Sequence, residues 1–187
     1  MTTDTLTDFQ LGDIPDLSDV QDTVSSPFSD GWYEATILAK REFTDQQGNE
    51  RVFESGDEPA QRSGRNIRLQ MAIKRQSDGK ALNTSYLLNY QPEDLTAETV
   101  KAVLAHKEKV KEGEQWGPLF RSFMTLQRLG KLQKIAGIRQ FQRNGNGGLD
   151  LHTVYGKTAY VKLVDDDRNP KYKMIKDISA DRPKQVL

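Results

Sequence analysis

The hydrophobic period along this chain changes twice, from two residues to a helical spacing and back to two, and that order limits the folds open to it. RNIRLQMAIKR, residues 65–75, alternates most cleanly: Ile67, Leu69, Met71 and Ile73 face one way, and Arg68, Gln70 and Lys74 the other. Ahead of it, GWYEATILAKREF, Gly31 to Phe43, sets Tyr33, Ala35, Ile37 and Ala39 against Glu34, Thr36 and Lys40, as a half-buried strand does. The polar stretch between them, with DQQGN and SGDEPAQRSG, reads as a long loop or hairpin. Asp78-Gly79 suits a tight turn into KALNTSYLLNY, where Leu82, Tyr86, Leu88 and Tyr90 share one face; both tyrosines therefore belong to the core.

The period then becomes helical. Thr96 stands as N-cap ahead of Val100, Val103, Leu104 and Val110, and this helix ends near Gly113. A second helix starts near Pro118 and carries an apolar stripe from Leu119 to Phe141, with Gly130 or Gly137 as its interruption. Arg121, Arg128, Lys131, Lys134, Arg139 and Arg143 lie on the opposite face. NGNGG makes a turn before LDLHTVY, read as strand, and TAYVKLV points Ala159, Val161 and Leu163 one way and Tyr160 and Lys162 the other. A last strand covers roughly Tyr172 to Ile178.

Composition narrows the chemistry. The chain has no cysteine and two scattered histidines, His106 and His152, which removes disulfides, thiolate metal sites and cysteine nucleophiles. Asp165, Asp167 and Asn169 begin like a calcium loop, but Pro170 and Lys176 stand where it needs glycine and glutamate. No catalytic residue, metal or cofactor is expected. No segment reaches the roughly 20 apolar residues of a membrane span, and MTTDTLTDFQ lacks the basic start of a secretory signal, so a cytoplasmic protein is expected. The formal net charge is zero, yet residues 1–30 hold seven Asp and no Lys or Arg, leaving +7 on the rest from 27 basic against 20 acidic residues. An acidic arm precedes a basic body. Within the arm, Phe9, Leu11, Ile14 and Leu17 are spaced among aspartates like a docking peptide for a partner, and the bland alternative is a solubilising tail.

Three strands, a helical insertion and two further strands is the order of the five-stranded OB-fold barrel, with its helical segment between strands three and four. The expected fold is mainly β with a helical insertion: an OB-fold over residues 31–180, a helical hairpin over about 94–143, the arm at 1–30 and a short tail at 181–187. An open α+β sheet with one face covered by helices is the competing architecture. A basic, aromatic-bearing face on such a barrel suits single strands, because bases stack on rings while cations track phosphates. The residues assigned to that face or its rims are Trp32, Lys40, Arg65, Arg68, Lys74, Lys157, Tyr160, Lys162, Lys171 and Lys173. Trp32 either stacks on bases or anchors the core or rim.

On GWYEATI, RNIRLQMAI, RLGKLQKIAG, GKTAYVKL and NPKYKMIKDISA, the chain resembles, from about Gly31 to Ala180, the small phage-encoded single-stranded DNA-binding proteins with an OB-fold and a helical insertion. The resemblance implies a coating protein that protects displaced strands during DNA replication or recombination in the host cytoplasm, without strong sequence preference. Proteins with that job commonly carry an acidic partner-recruiting tail at the C-terminus; here the C-terminus reads ADRPKQVL and the acidic arm is N-terminal. The partners expected are single-stranded DNA and replication or recombination proteins met through the arm; the insertion either covers the open end of the barrel or mediates self-association with further copies of the chain. Two alternatives stand beside this one. One is an assembly factor that binds proteins through the arm and the basic helix face; the other is an RNA-binding OB module, since stacking does not read the sugar.

Overall fold

The computed structural model describes residues 28–45 and 47–187, and in β8 (Asn169–Ser179) it leaves the side chains of Pro170 and Lys171 undescribed. The docking residues Phe9, Leu11, Ile14 and Leu17 lie outside the described residues. The chain is mainly β: β1 (Gly31–Leu38), β2 (Lys40–Thr44), β3 (Glu50–Glu54), β4 (Gly56–Pro59), β5 (Arg65–Lys74), β6 (Ala81–Tyr90) and β7 (Thr158–Asp166) precede β8. Two helices, α1 (Ala97–Lys111) and α2 (Phe120–Ala136), fill the interval between β6 and β7.

The main sheet is antiparallel, in the order β6-β5-β1-β7-β8, with β4 continuing the line of β1 along the same edge of β5. β6 and β8 close on each other to Cα separations within 8 Å, but among the described residues no ladder joins them. The sheet is therefore open, where a closed barrel was expected. Register shifts at Lys162/Leu163 and Asp165/Asp166 bend β8 against β7 and carry it toward β6.

Alternation decides which face is core. Tyr33, Ala35 and Ile37, then Ile67, Leu69, Met71 and Ile73, then Tyr86, Leu88 and Tyr90, then Ala159, Val161 and Leu163 are all buried, as their spacing requires. Leu129, Leu132 and Ile135 of α2 pack into the same cluster. α1 contributes only Val103 as a buried residue and rides outside. Its start is the one expected: Thr96 Oγ1 accepts the Thr99 N–H at 3.2 Å. α2 stops earlier than its apolar stripe suggests, because Gly137 takes φ 72° as a left-handed C-cap, so Ile138 and Phe141 reach the core from a loop. LDLHTVY is no strand: His152–Val154 forms a 3₁₀ turn, with Asp150 accepting the His152 backbone N–H.

Two phenols are buried in this core. Tyr86 Oη has no hydrogen-bond partner, and burial pushes its pKa up to about 12 against the opposing pull of Arg128. Burial and then the Asp57 carboxylate raise Tyr90 as well. Both groups hold their protons longer folded than unfolded, where a phenol ionises near 10. Stability is thus expected to be flat below about pH 9 and to fall as the pH climbs past about 10. Thermal unfolding between pH 8 and 11 checks this; a midpoint that does not move would contradict it.

Candidate nucleic-acid interface

The polar stretch read as a loop or hairpin is a two-stranded ribbon, β2 paired with β3, which leaves the sheet where β1 ends at Leu38. Ser55 anchors its base: its Oγ donates to Leu38 O at 2.6 Å and accepts the Gln70 N–H at 2.7 Å. Because side chains alternate, the ribbon has two unlike faces. Lys40, Glu42, Glu50, Val52 and Glu54 share one; Arg41, Phe43, Arg51 and Phe53 share the other.

The second face carries an aromatic pair. Phe43 and Phe53 stack with centroids 5.1 Å apart at 17°, and the Arg41 guanidinium lies 5.6 and 5.1 Å from the two rings. Both rings remain more than a third exposed. Arg41 Nη1 also donates to Asn83 O on β6 at 3.0 Å. β1 and β6 flank β5 on opposite sides, so this side chain crosses the outward face of β5. Gln70 points outward by register yet is fully buried, and its side-chain oxygen accepts the Ser85 hydroxyl at 3.1 Å.

Beside the ribbon lies the outward face of the sheet. Trp32 stands opposite Lys162, and Glu34 stands between Tyr160 on β7 and Lys74 on β5. Trp32 is half-buried there, outside the core cluster, with its carbonyl accepting the Leu187 N–H at 2.8 Å. Arg68 is exposed opposite Leu87, itself an exposed apolar residue. The structure therefore gathers Trp32, Arg68, Lys74, Tyr160 and Lys162 on one side of the sheet.

The other residues assigned to this face separate. Arg65 is a correction: it is only 8% exposed, because Asp57, also buried, takes its Nε at 2.8 Å and Asn146 O takes its Nη1. Lys173 is another. Its side chain is 8% exposed and donates to Asp30 at 2.6 Å and Asp165 at 2.5 Å; burial opposes its charge, but these carboxylates raise its pKa above the usual value. Its charge is spent inside the protein. Lys40 sits on the acidic face of the ribbon, 2.6 Å from Glu42. Lys157 is exposed on the turn before β7, where its carbonyl accepts the Ile37 N–H at 3.0 Å. The side chain of Lys171 lies outside the described residues. On α2, Lys131 and Lys134 pair with Asp177 and Asp181 at 2.6 Å each, so part of the basic helix face is neutralised within the chain.

Sequence reasoning missed Arg41 and Phe53 and gave Phe43 no role. The signal was an Arg-x-Phe repeat, Arg41-Glu42-Phe43 and Arg51-Val52-Phe53, on either side of the turn at Asp45, whose carboxylate accepts the N–H groups of Gln47 and Asn49. Among the described residues no group of three or more His, Cys, Asp or Glu is placed to hold a metal ion, and no helix is long and apolar enough to cross a membrane. No protein-family model matches this chain, and comparison with curated proteins and with solved structures gives no match.

Proposed function

We propose that the protein binds single-stranded DNA without strong sequence preference and coats it during replication or recombination, without catalysing a reaction. The observation that carries this reading is the exposed ribbon face of Phe43, Phe53 and Arg41, which reaches β6 through Arg41, on a fold whose outward sheet face also presents Trp32, Tyr160 and Lys162 on β1 and β7. Exposed rings offer stacking platforms to unpaired bases, and the cations between them meet phosphates; a paired duplex presents neither its base faces nor a matching backbone path. The strand order β6-β5-β1-β7-β8, with both helices between β6 and β7, supports an OB-fold whose last seam is left open. On that fold the ribbon is an elaborated first loop, one of the loops through which such folds grip single strands.

Fluorescence anisotropy of a labelled single-stranded oligonucleotide, across a salt series, tests the proposal. Arg41, Arg68, Lys74 and Lys162 are exposed or half-exposed and, among the described residues, held in no ion pair. One phosphate each gives an expected slope of log K against log salt of about -3. Duplex of the same length is expected to compete poorly. Equal competition by duplex, or no binding at low salt, would overturn the reading; RNA competing as well as DNA would widen it to single strands of either sugar.

A further inference from the structure

Between the two helices and the loop after them runs a half-open cleft of about 250 Å³, formed by Val100 on α1, Leu126 and Gly130 on α2, and Phe141, Arg143 and Leu149 beyond. Its floor is apolar, and its polar lining is Gln133, Gln140 and one cation, Arg143. Gly130 is unusual within it: it sits in the interior of α2 at an ordinary helical φ, where glycine weakens a helix, and a Cβ there would meet nothing within 4 Å. Nothing in the described fold requires the missing side chain. Its absence widens the cleft.

We propose that the acidic, apolar-spaced segment around Asp8 to Asp19 of one copy docks in this cleft on a second copy. The proposal extends the coating role above, but its evidence is separate. Residues 1–27 hold six Asp and no basic residue, and residues 31–187 hold 27 Lys and Arg against 20 Asp and Glu; at the cleft the cation is Arg143, while Lys131 and Lys134 of α2 are already paired with Asp177 and Asp181. The charges complement each other. Phe9, Leu11, Ile14 and Leu17 supply apolar side chains for the floor, and the aspartates among them, Asp8, Asp13 and Asp16, supply a carboxylate for Arg143.

Chain geometry favours a neighbour over the same copy. The described chain begins at Phe28, whose ring lies 5.3 Å from the Arg75 guanidinium, just past the end of β5. The cleft is at the other end of β5, where the Leu149 N–H donates to Asp57 at 2.6 Å and Asp57 holds Arg65. Nine residue steps of strand separate those ends by about 30 Å. Leu17 to Phe28 spans at most about 36–40 Å fully stretched, and about 17–20 Å when relaxed. A route around the sheet within one copy would need an almost taut chain. A neighbouring copy can be met with far less loss of chain entropy. Segment and cleft are different surfaces, so the contact is heterologous, and where it repeats without closing it builds a chain of copies such as a coat along a strand requires.

The chain lacks cysteine, so Ser18→Cys gives a single attachment point for a nitroxide. The full-length spin-labelled variant, at natural isotope abundance, is mixed with ¹⁵N-labelled wild-type protein in the absence of nucleic acid. Broadening of the amides of Leu126, Gly130 and Phe141 in the ¹⁵N copy is the expected result. It should disappear when the ¹⁵N copy carries Gly130→Glu, which puts a carboxylate in the mouth of the cleft and improves helix propensity. Broadening elsewhere in the ¹⁵N copy, or none at all, would overturn the proposal. The readout does not involve DNA, so its failure leaves the binding titration untouched, and failure of that titration leaves this contact standing.

Discussion

Replacing Phe43 and Phe53 together by alanine is expected to weaken single-stranded DNA binding by roughly 30- to 1,000-fold while leaving the fold intact. A base stacked on an aromatic ring is worth about 1 to 3 kcal/mol by alanine substitution, and loss of both rings removes about 2 to 4 kcal/mol once their mutual dependence is allowed for. Each 1.4 kcal/mol is about tenfold in affinity. Both rings are more than a third exposed and stand outside the core cluster, so the unfolding midpoint should barely change. The salt slope separates stacking from charge. It should be preserved in the double phenylalanine variant and should fall by about 0.7 for each phosphate that a Lys74→Ala, Lys162→Ala variant leaves without its cation. An unchanged dissociation constant in the phenylalanine variant would remove the ribbon from the interface.

The largest effect on stability is expected at Asp57. Its carboxylate accepts hydrogen bonds from Arg65 Nε at 2.8 Å, Tyr90 Oη at 2.5 Å and the Leu149 N–H at 2.6 Å, tying β4, β5, β6 and the loop after α2 into one buried knot. Asp57→Ala strands a guanidinium whose side chain is only 10% exposed, along with a hydroxyl and an amide. Removing one partner of a buried pair costs about 3–5 kcal/mol, a large share of the stability of a typical domain. Urea unfolding is the measurement. A fall in midpoint at constant slope is expected, whereas Glu42→Ala, which breaks the exposed pair with Lys40, should leave the midpoint nearly unchanged. A loss below about 1 kcal/mol at Asp57 would mean that solvent reaches the knot. Gly148 belongs to the same structure: a Cβ there would fall 2.3 Å from Arg65 Nη2, so no larger residue fits while the pair is intact.

Arg65 shows why the candidate site was only half legible. In RNIRLQMAIKR it holds the same alternation parity as Ile67 and Leu69, so the pattern placed it on the core side, and only the habit of arginine argued for solvent. What settles its place is Asp57, eight residues away in a segment that read as a loop or hairpin. Lys173 is the reverse case, outward by expectation and closed over by Asp30 and Asp165 from two other parts of the chain. Trp32, Lys74, Tyr160 and Lys162 share one side of the sheet because parity within a strand and register between strands suffice to place them.

The sequence by itself determined the strands and helices that have a strong period, the face each buries, and the order in which they follow one another, because those properties rest on interactions between residues a few positions apart. Tertiary structure alone decided that the polar stretch after β1 rises as a ribbon, that its Arg-x-Phe repeats form one stacked face, and that the sheet stays open between β6 and β8. It also decided which cations remain available to a ligand. A charge is free or spent according to carboxylates that can lie more than a hundred residues away, as Asp30 does from Lys173, and no local pattern carries that information.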